Sequence, residues 1–212
     1  GGLARLEHGR FVGSGSGNED QDWVRSLFED REGVLWVGTS SGLHSYHDGR
    51  FTLYTHQEGL PGDKPTVVHQ DRAGAVWIGF HDRGLYRFRP GPNLRYTTAN
   101  GLPSNEIFSI RDAADGSLLV ATREGAVSIK DGAVRRIHVP DPLHRRLVLD
   151  VLEDSAGTLW TATPGGLSRI MKGRGIHIAA GGSTGSGTVV ALETTRDGAL
   201  WAAGFGGELW EL

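Results

Sequence analysis

Glu29-Asp30-Arg31-Glu32-Gly33-Val34-Leu35-Trp36-Val37-Gly38-Thr39 decides the reading of this chain, because its pattern comes back four times. Leu35-Trp36-Val37-Gly38-Thr39 returns as Val76-Trp77-Ile78-Gly79-Phe80 and as Leu119-Val120-Ala121-Thr122. It returns again as Leu159-Trp160-Thr161-Ala162-Thr163 and Leu200-Trp201-Ala202-Ala203-Gly204. The matched positions Trp36, Trp77, Leu119, Trp160 and Trp201 are 41, 42, 41 and 41 residues apart. A glycine stands three residues before each of them: Gly33, Gly74, Gly116, Gly157 and Gly198. A second stands six or seven residues after: Gly42, Gly84, Gly125, Gly166 and Gly207. In three repeats the first glycine closes an Asp-x-x-Gly element, at Asp30, Asp71 and Asp154. There the Asp folds onto nearby backbone amides while the glycine takes a positive φ.

Between these marks lie strand-like runs. In the first full repeat they are Val24–Glu29, Val34–Thr39, Leu43–Tyr46 and Arg50–Tyr54. No segment keeps an apolar 3.6-residue period long enough for a core helix. Four antiparallel strands in about 41 residues make one blade of a β-propeller. The fold class expected is all-β, with first strands lining a central channel. Residues 1–20 read as a partial blade. Residues 21–62, 63–103, 104–144 and 145–186 read as full blades, and 187–212 as a second partial one. Gly2-Leu3-Ala4-Arg5-Leu6 aligns with Gly42-Leu43-His44-Ser45-Tyr46, and Gly207-Glu208-Leu209-Trp210 aligns with the same third strand. The expected count is therefore two, sixteen and three strands, one more than a closed five-bladed ring needs. Three arrangements fit: a ring closed by the first strands, a piece of a larger ring, or pairing of partial blades between copies. Unpaired strand edges favour association.

Composition agrees with many tight turns. Of 212 residues 33 are glycine, roughly twice the average share. Net charge is −3, from 22 basic and 25 acidic residues, so no broad field draws nucleic acid or anionic lipid. With no cysteine there are no disulfides, thiolate metal sites or cysteine nucleophiles. No apolar stretch nears the roughly 20 residues that span a bilayer. No secretory signal opens the chain, which reads as cytosolic or as a mature or excised piece.

The residues resemble a known family. Ile107-Phe108-Ser109-Ile110, the Asp-x-x-Gly-x-Leu-Trp-x-Gly-Thr element and its following Gly-Leu are similar to the two-component regulator propeller repeat. So are the closing Glu58-Gly59-Leu60-Pro61 and Asn100-Gly101-Leu102-Pro103. The resemblance implies a propeller of about seven blades in the extracytoplasmic part of a bacterial sensor, on the periplasmic or extracellular side of an inner-membrane receptor. It implies a ligand, an oligosaccharide in some relatives, bound on one face, and signalling through dimerisation. The chain departs from the pattern with Leu119 for Trp, and with Ala113 and Thr195 for Asp. Streptogramin-inactivating lyases are similar in blade length, but usually read Trp-Phe-Thr where this chain has Trp-Val-Gly-Thr.

Several residues are candidates for function. Trp36, Trp77, Leu119, Trp160 and Trp201 read as structural core between blades. Trp23 precedes a first strand and reads as a loop-face aromatic for binding. Phe80-His81-Asp82-Arg83 and Thr122-Arg123-Glu124 put charge where other repeats have Thr39-Ser40-Ser41 or Thr163-Pro164-Gly165. His81, Asp82, Arg83, Arg123 and Glu124 are thus a candidate ligand patch, or plain solvated turns. On the first strands the matched residues are Phe28, His69, Arg111, Leu152 and Glu193, where His69 and Arg111 are candidate ligand contacts. A second column, Ser26, Val67, Ser109, Asp150 and Ala191, is expected to face away whenever the first faces the channel. Nine histidines include no His-x-x-x-His or His-Glu-x-x-His pair, so neither a metal nor another cofactor is expected. No Ser/His/Asp order points to catalysis. Gly13–Gly17 and Gly181–Gly187 read as flexible loops. The expected partners are a ligand and either further blades or a second copy.

Overall fold

The computed structural model describes residues 3–13, 23–62, 64–89, 93–139, 147–179 and 187–212. His144, most of the loop Gly13–Gly17 and all of 181–187 but Gly187 lie outside the described residues. The chain divides into two compact units, Gly1–Arg95 and Tyr96–Leu212.

Strands form where the repeat places them. A two-stranded sheet pairs β1 (Ala4–Glu7) with β2 (Arg10–Gly13). The first full sheet runs β3 (Val24–Glu29), β4 (Leu35–Thr39), β5 (Leu43–His47), β6 (Arg50–Tyr54). The second holds β7 (Pro65–Gln70), β8 (Val76–Phe80), β9 (Leu85–Arg89) and β10 (Leu94–Tyr96). The third is β11 (Ile107–Asp112), β12 (Leu118–Thr122), β13 (Gly125–Lys130), β14 (Ala133–Ile137). The fourth comprises β15 (Asp150–Glu153), β16 (Leu159–Thr163), β17 (Gly166–Met171) and β18 (Arg174–Ala179). The last sheet has β19 (Val189–Thr194), β20 (Leu200–Gly204) and β21 (Leu209–Glu211). Each strand pairs in antiparallel order with the next, so each sheet is a meander.

Turn chemistry sets these boundaries. Asp30 Oδ1 accepts the amides of Glu32 (3.1 Å) and Val34 (2.9 Å), while Oδ2 accepts the indole N–H of Trp36 at 2.7 Å. Asp71 and Asp154 bind Trp77 (2.7 Å) and Trp160 (2.8 Å) in the same way. Gly33 closes the turn at φ 76°, a conformation costly for residues with a Cβ. Where Ala113 replaces the Asp, Leu119 replaces the Trp, so the pair is lost together. Asp115 then caps the turn instead, accepting Ser117 N–H at 2.9 Å.

The outer hairpins use a different turn. His8-Gly9, Asp48-Gly49, Asp131-Gly132 and Lys172-Gly173 all have positive φ at both positions, the two-residue type I′ loop whose twist suits a hairpin. After β6, Thr55 caps a single 3-10 turn, His56–Glu58, in a reciprocal capping box with Glu58. Gly59 ends it at φ 90° and Leu60 is buried. Thr97, Asn100, Gly101 and Leu102 repeat that element. The closing Gly-Leu-Pro motifs are thus helical caps, a detail beyond the strand-only reading.

Blade packing is visible within each unit. In the first, the Trp36 ring meets Phe88 edge-on at 5.9 Å and shares a core with Val68, Val76 and Ile78. A Cβ on Gly38 would collide with Ser26 Oγ and sit 3.4 Å from Pro65, so the small residue admits the neighbouring first strand. In the second unit, Leu119, Ala121 and Ala126 pack with Val148 and Val151. Trp160 packs with Val189, Leu192, Leu200 and Ala202. A polar latch recurs beside these cores. Arg31 N–H donates to Gln70 Oε1 at 3.0 Å, and Ala114 N–H donates to Glu153 Oε2 at 2.6 Å. The latching side chain is the residue just before the Asp-x-x-Gly position of the following repeat.

Truncating Trp36 to Ala is expected to cost about 3–5 kcal/mol in denaturant melts, and Trp201→Ala less, because Trp201 is only half-buried. Acid should also weaken the turns. Burial alone would raise the Asp154 carboxyl, but hydrogen bonds from Trp160, Thr158 and Ala156 outweigh it and hold the group low. Hydrogen bonds from Ser117, helped by Lys130, hold Asp115 at about 2. Both groups titrate lower when folded. Their stabilisation is therefore complete above the unfolded value near about 3.9 and disappears as pH falls through the folded values. Urea midpoints taken from about pH 5 down to about pH 2 should fall, and Asp154→Ala, weaker at the start, should fall less steeply.

Candidate ligand-binding face

A recurring backbone bond shapes the end of four sheets, two in each unit. The residue after the second strand donates its N–H to the carbonyl preceding the first strand, except after β16, where Pro164 has no N–H to give. In the first unit Ser40 donates to Trp23 (3.1 Å) and His81 to Lys64 (3.2 Å). In the second, Arg123 donates to Glu106 (3.1 Å) and Phe205 to Thr188 (3.0 Å). Next to this bond the first strand bulges, with register shifts at Val24/Ser26, Pro65/Val67, Ile107/Ser109 and Val189/Ala191. Bulges re-aim side chains and are frequent beside binding sites.

The first unit presents Trp23, His81, Asp82 and Arg83. Trp23 is 76% exposed, yet its backbone is held at both polar atoms, since its N–H also donates to Ser40 Oγ at 3.3 Å. A large aromatic plate on a fixed backbone loses little entropy when something stacks on it. Asp82 and Arg83 pair weakly at 3.7 Å, both exposed. The Arg83 stem covers Gly62, where a Cβ would come within 2.6 Å of Arg83 Cγ. His69 does not join this rim: it lies along the first strand β7, with its ring 5.7 Å from that of Phe28.

The second unit holds Arg111, Arg123 and Glu124. Arg123 is taken up by Glu106 at 3.2 Å, and Glu124 is exposed, its N–H donating to Thr122 Oγ1. Phe205, 77% exposed, occupies the rim position matched to Ser40, His81 and Arg123. Comparing that single offset in all repeats, rather than looking for charge, would have found it from sequence.

Arg111 is the hub of a clasp across three first strands. Its guanidinium donates to Glu193 Oε2 at 3.0 Å, Asp150 Oδ2 at 3.2 Å and the Leu192 carbonyl at 2.9 Å. Asp150 is buried and also accepts the amides of Leu192 and Val151, both at 2.9 Å. Burial works against the Arg111 charge, but Asp150 and Glu193 overcome it and lift the pKa above the ordinary arginine value. The two first-strand columns are therefore not alternatives, as expected above. Arg111 and Glu193 belong to one, Asp150 to the other, and they meet. Residues two apart on a strand share a face, so the separation into inward and outward columns is corrected. Asp150 and Leu192 are the clasp members missed in sequence. A lone acidic residue in one repeat, 39 residues after an arginine, was the available signal.

Replacing Arg111 by Met strands the buried Asp150 and is expected to cost about 3 kcal/mol. Glu193→Gln, at the exposed end of the clasp, should cost less than about 1 kcal/mol. Equilibrium unfolding of both variants and of the double variant checks this ordering.

Residues 18–41 match the two component regulator propeller family. No curated protein sequence matches the chain. Among solved structures, the chain is similar to the extracellular domain of a hybrid two component system from B. thetaiotaomicron, with TM-score 0.77 and 20% identity. That match covers 90% of this chain and 28% of the other, so the chain spans little more than a quarter of that domain's length. It is also similar to virginiamycin B lyase from Staphylococcus aureus, at TM-score 0.70 and 18% identity over 90% of this chain and 70% of the lyase. A third likeness is to PorZ, a surface component of the type-IX secretion system of Porphyromonas gingivalis, with TM-score 0.76 and 13% identity. It covers 100% of this chain and 36% of PorZ. Fold and matched repeat together make this chain a run of β-propeller blades that carries the two-component regulator propeller repeat.

Proposed function

We propose that the chain is a ligand-sensing propeller segment of a bacterial signal-transduction receptor, working outside the cytoplasm and binding without catalysis. The rim carries this reading. Trp23, exposed on a backbone pinned by Ser40, stands at the sheet end that matches the one carrying His81, Asp82 and Arg83 in the same unit. The matched repeat and the likeness to an extracellular sensor domain support the receptor setting. An oligosaccharide suits such a site, since a sugar ring stacks on an indole face while hydroxyls reach the neighbouring polar turns.

A propeller enzyme similar to the lyases is the second reading, favoured by the fold likeness. Two of the residues that reading would draw on have partners in the structure: Arg111 donates to Glu193, and the His69 ring lies against that of Phe28.

Thermal melts against an oligosaccharide panel test the proposal. A true ligand at 100 times its dissociation constant should stabilise the chain by about 2.7 kcal/mol, and Trp23→Ala should abolish that gain while leaving the unliganded melt unchanged. Quinupristin incubated with the chain is expected to remain intact. Its consumption, lost in His69→Ala and His81→Ala, would favour the enzyme instead.

A further inference from the structure

Asn100-Gly101 is the only Asn-Gly pair in the chain, and it closes the second of the two capped 3-10 turns. The two caps differ at that pair. The first has Glu58-Gly59 there, and Gly59 N–H donates to the His56 carbonyl at 3.1 Å. Gly101 N–H has no acceptor among the described residues, and its neighbour Asn100 carries an amide where Glu58 carries a carboxylate. The turn Thr98–Asn100 contains no buried residue, so opening it uncovers little apolar surface and is cheap.

Asn100 Oδ1 accepts the Thr97 N–H at 2.5 Å. That donor is aimed at the oxygen that takes up negative charge when a nucleophile adds to Cγ. The fold requires glycine at the next position. Gly101 has φ 114°, and a Cβ there would come within 3.1 Å of Val134 Cβ. The missing side chain also leaves the Gly101 nitrogen unshielded.

We propose that Asn100 is a site of spontaneous deamidation through a cyclic imide with Gly101. Solvent base takes the Gly101 amide proton, and the electron pair of that nitrogen forms a bond to Asn100 Cγ. The Cγ–Nδ2 bond breaks, and Nδ2 takes a proton from water and leaves as ammonia. Water then opens the imide at either carbonyl, giving aspartate or isoaspartate. Aspartate keeps an oxygen for the Thr97 N–H and puts a carboxylate where the first cap has Glu58. Isoaspartate carries the main chain through Cβ and Cγ, and so lengthens it between Thr97 and Leu102. Leu102 N–H donates to the Thr97 carbonyl at 3.1 Å, and its side chain is 3% exposed. Lengthening that span pulls both the bond and the buried leucine out of place. The proposal goes beyond the sensing role and does not rest on it.

Ageing the whole folded chain at mildly alkaline pH, then digesting it with trypsin for mass spectrometry, tests it. Cleavage after Arg95 and Arg111 releases residues 96–111, a peptide that holds both Asn100 and Asn105. Asn100 is expected to convert at least about tenfold faster than Asn105, with isoaspartate exceeding aspartate. The aged chain should melt at a lower temperature as its isoaspartate content grows. Asn100→Gln should keep its own melting temperature through the same ageing, because its amide carbon lies a methylene further from the attacking nitrogen. The longer side chain fits a position that holds Glu58 in the first cap. An Asn100 that stays intact in the folded chain overturns the proposal. Aspartate formed without isoaspartate overturns the imide route. An Asn100→Gln chain that loses as much melting temperature on ageing as the parent overturns the assignment of that loss to this cap.

Discussion

The hydrogen bond from a tryptophan indole to the Asp of Asp-x-x-Gly is the constraint on which the blades depend. At 2.7–2.8 Å in three repeats, it ties the turn between the first two strands to the aromatic that fills the space beside the next blade. One carboxylate thus serves two purposes. Oδ1 shapes the turn and Oδ2 orients the ring. A buried indole N–H without an acceptor would lose its bond to water and gain nothing in return, and the carboxylate supplies that acceptor. In the third repeat Ala113 and Leu119 change as a pair, whereas the fifth keeps a half-buried Trp201 with Thr195 in place of the Asp.

From that anchor the interface between blades follows. A large ring on one sheet needs small residues two positions along, and Gly38 and Ala162 provide them. The amide latches onto Gln70 and Glu153 then fix one end of the interface, while the Arg111 clasp fixes the first strands of the second unit. Function is left to what these contacts do not use. The position after the second strand shares a backbone bond in four sheets, so its side chains vary: Ser40, His81, Arg123 and Phe205 share a position and no chemistry. A scaffold held by periodic bonds can change its surface without changing its fold.

Repetition made the strands readable in advance. Val24–Glu29 and Arg50–Tyr54 lie where the marks put them, and Leu35–Thr39 and Leu43–His47 differ by a residue at one end. The ring contacts of Trp36 follow from its period as well. Less was legible of the candidate site. Trp23 was noticed because it broke the register, but Phe205 was hidden because it kept a position while changing type. The Arg111 clasp is hidden in sequence because its members fall in two columns, two residues apart on each first strand, that share one face. Its partners are 39 and 82 residues away, and only the side-by-side placement of first strands brings them within reach.

The sequence by itself determined the period, the turns and the all-β class, because these depend on residues near one another in the chain. Positive φ at Gly33 and a capping Asp are local requirements, and local requirements leave marks at fixed spacing. Only the tertiary structure decided which charges are spent in clasps and which apolar residues remain bare. Arg111 and Arg123 look alike in sequence, yet one bridges three strands and the other pairs with a single rim carboxylate. Leu27 and Leu192 occupy the same place in their repeats, yet burial depends on whether another sheet lies over them, and that is a property of the assembled blades.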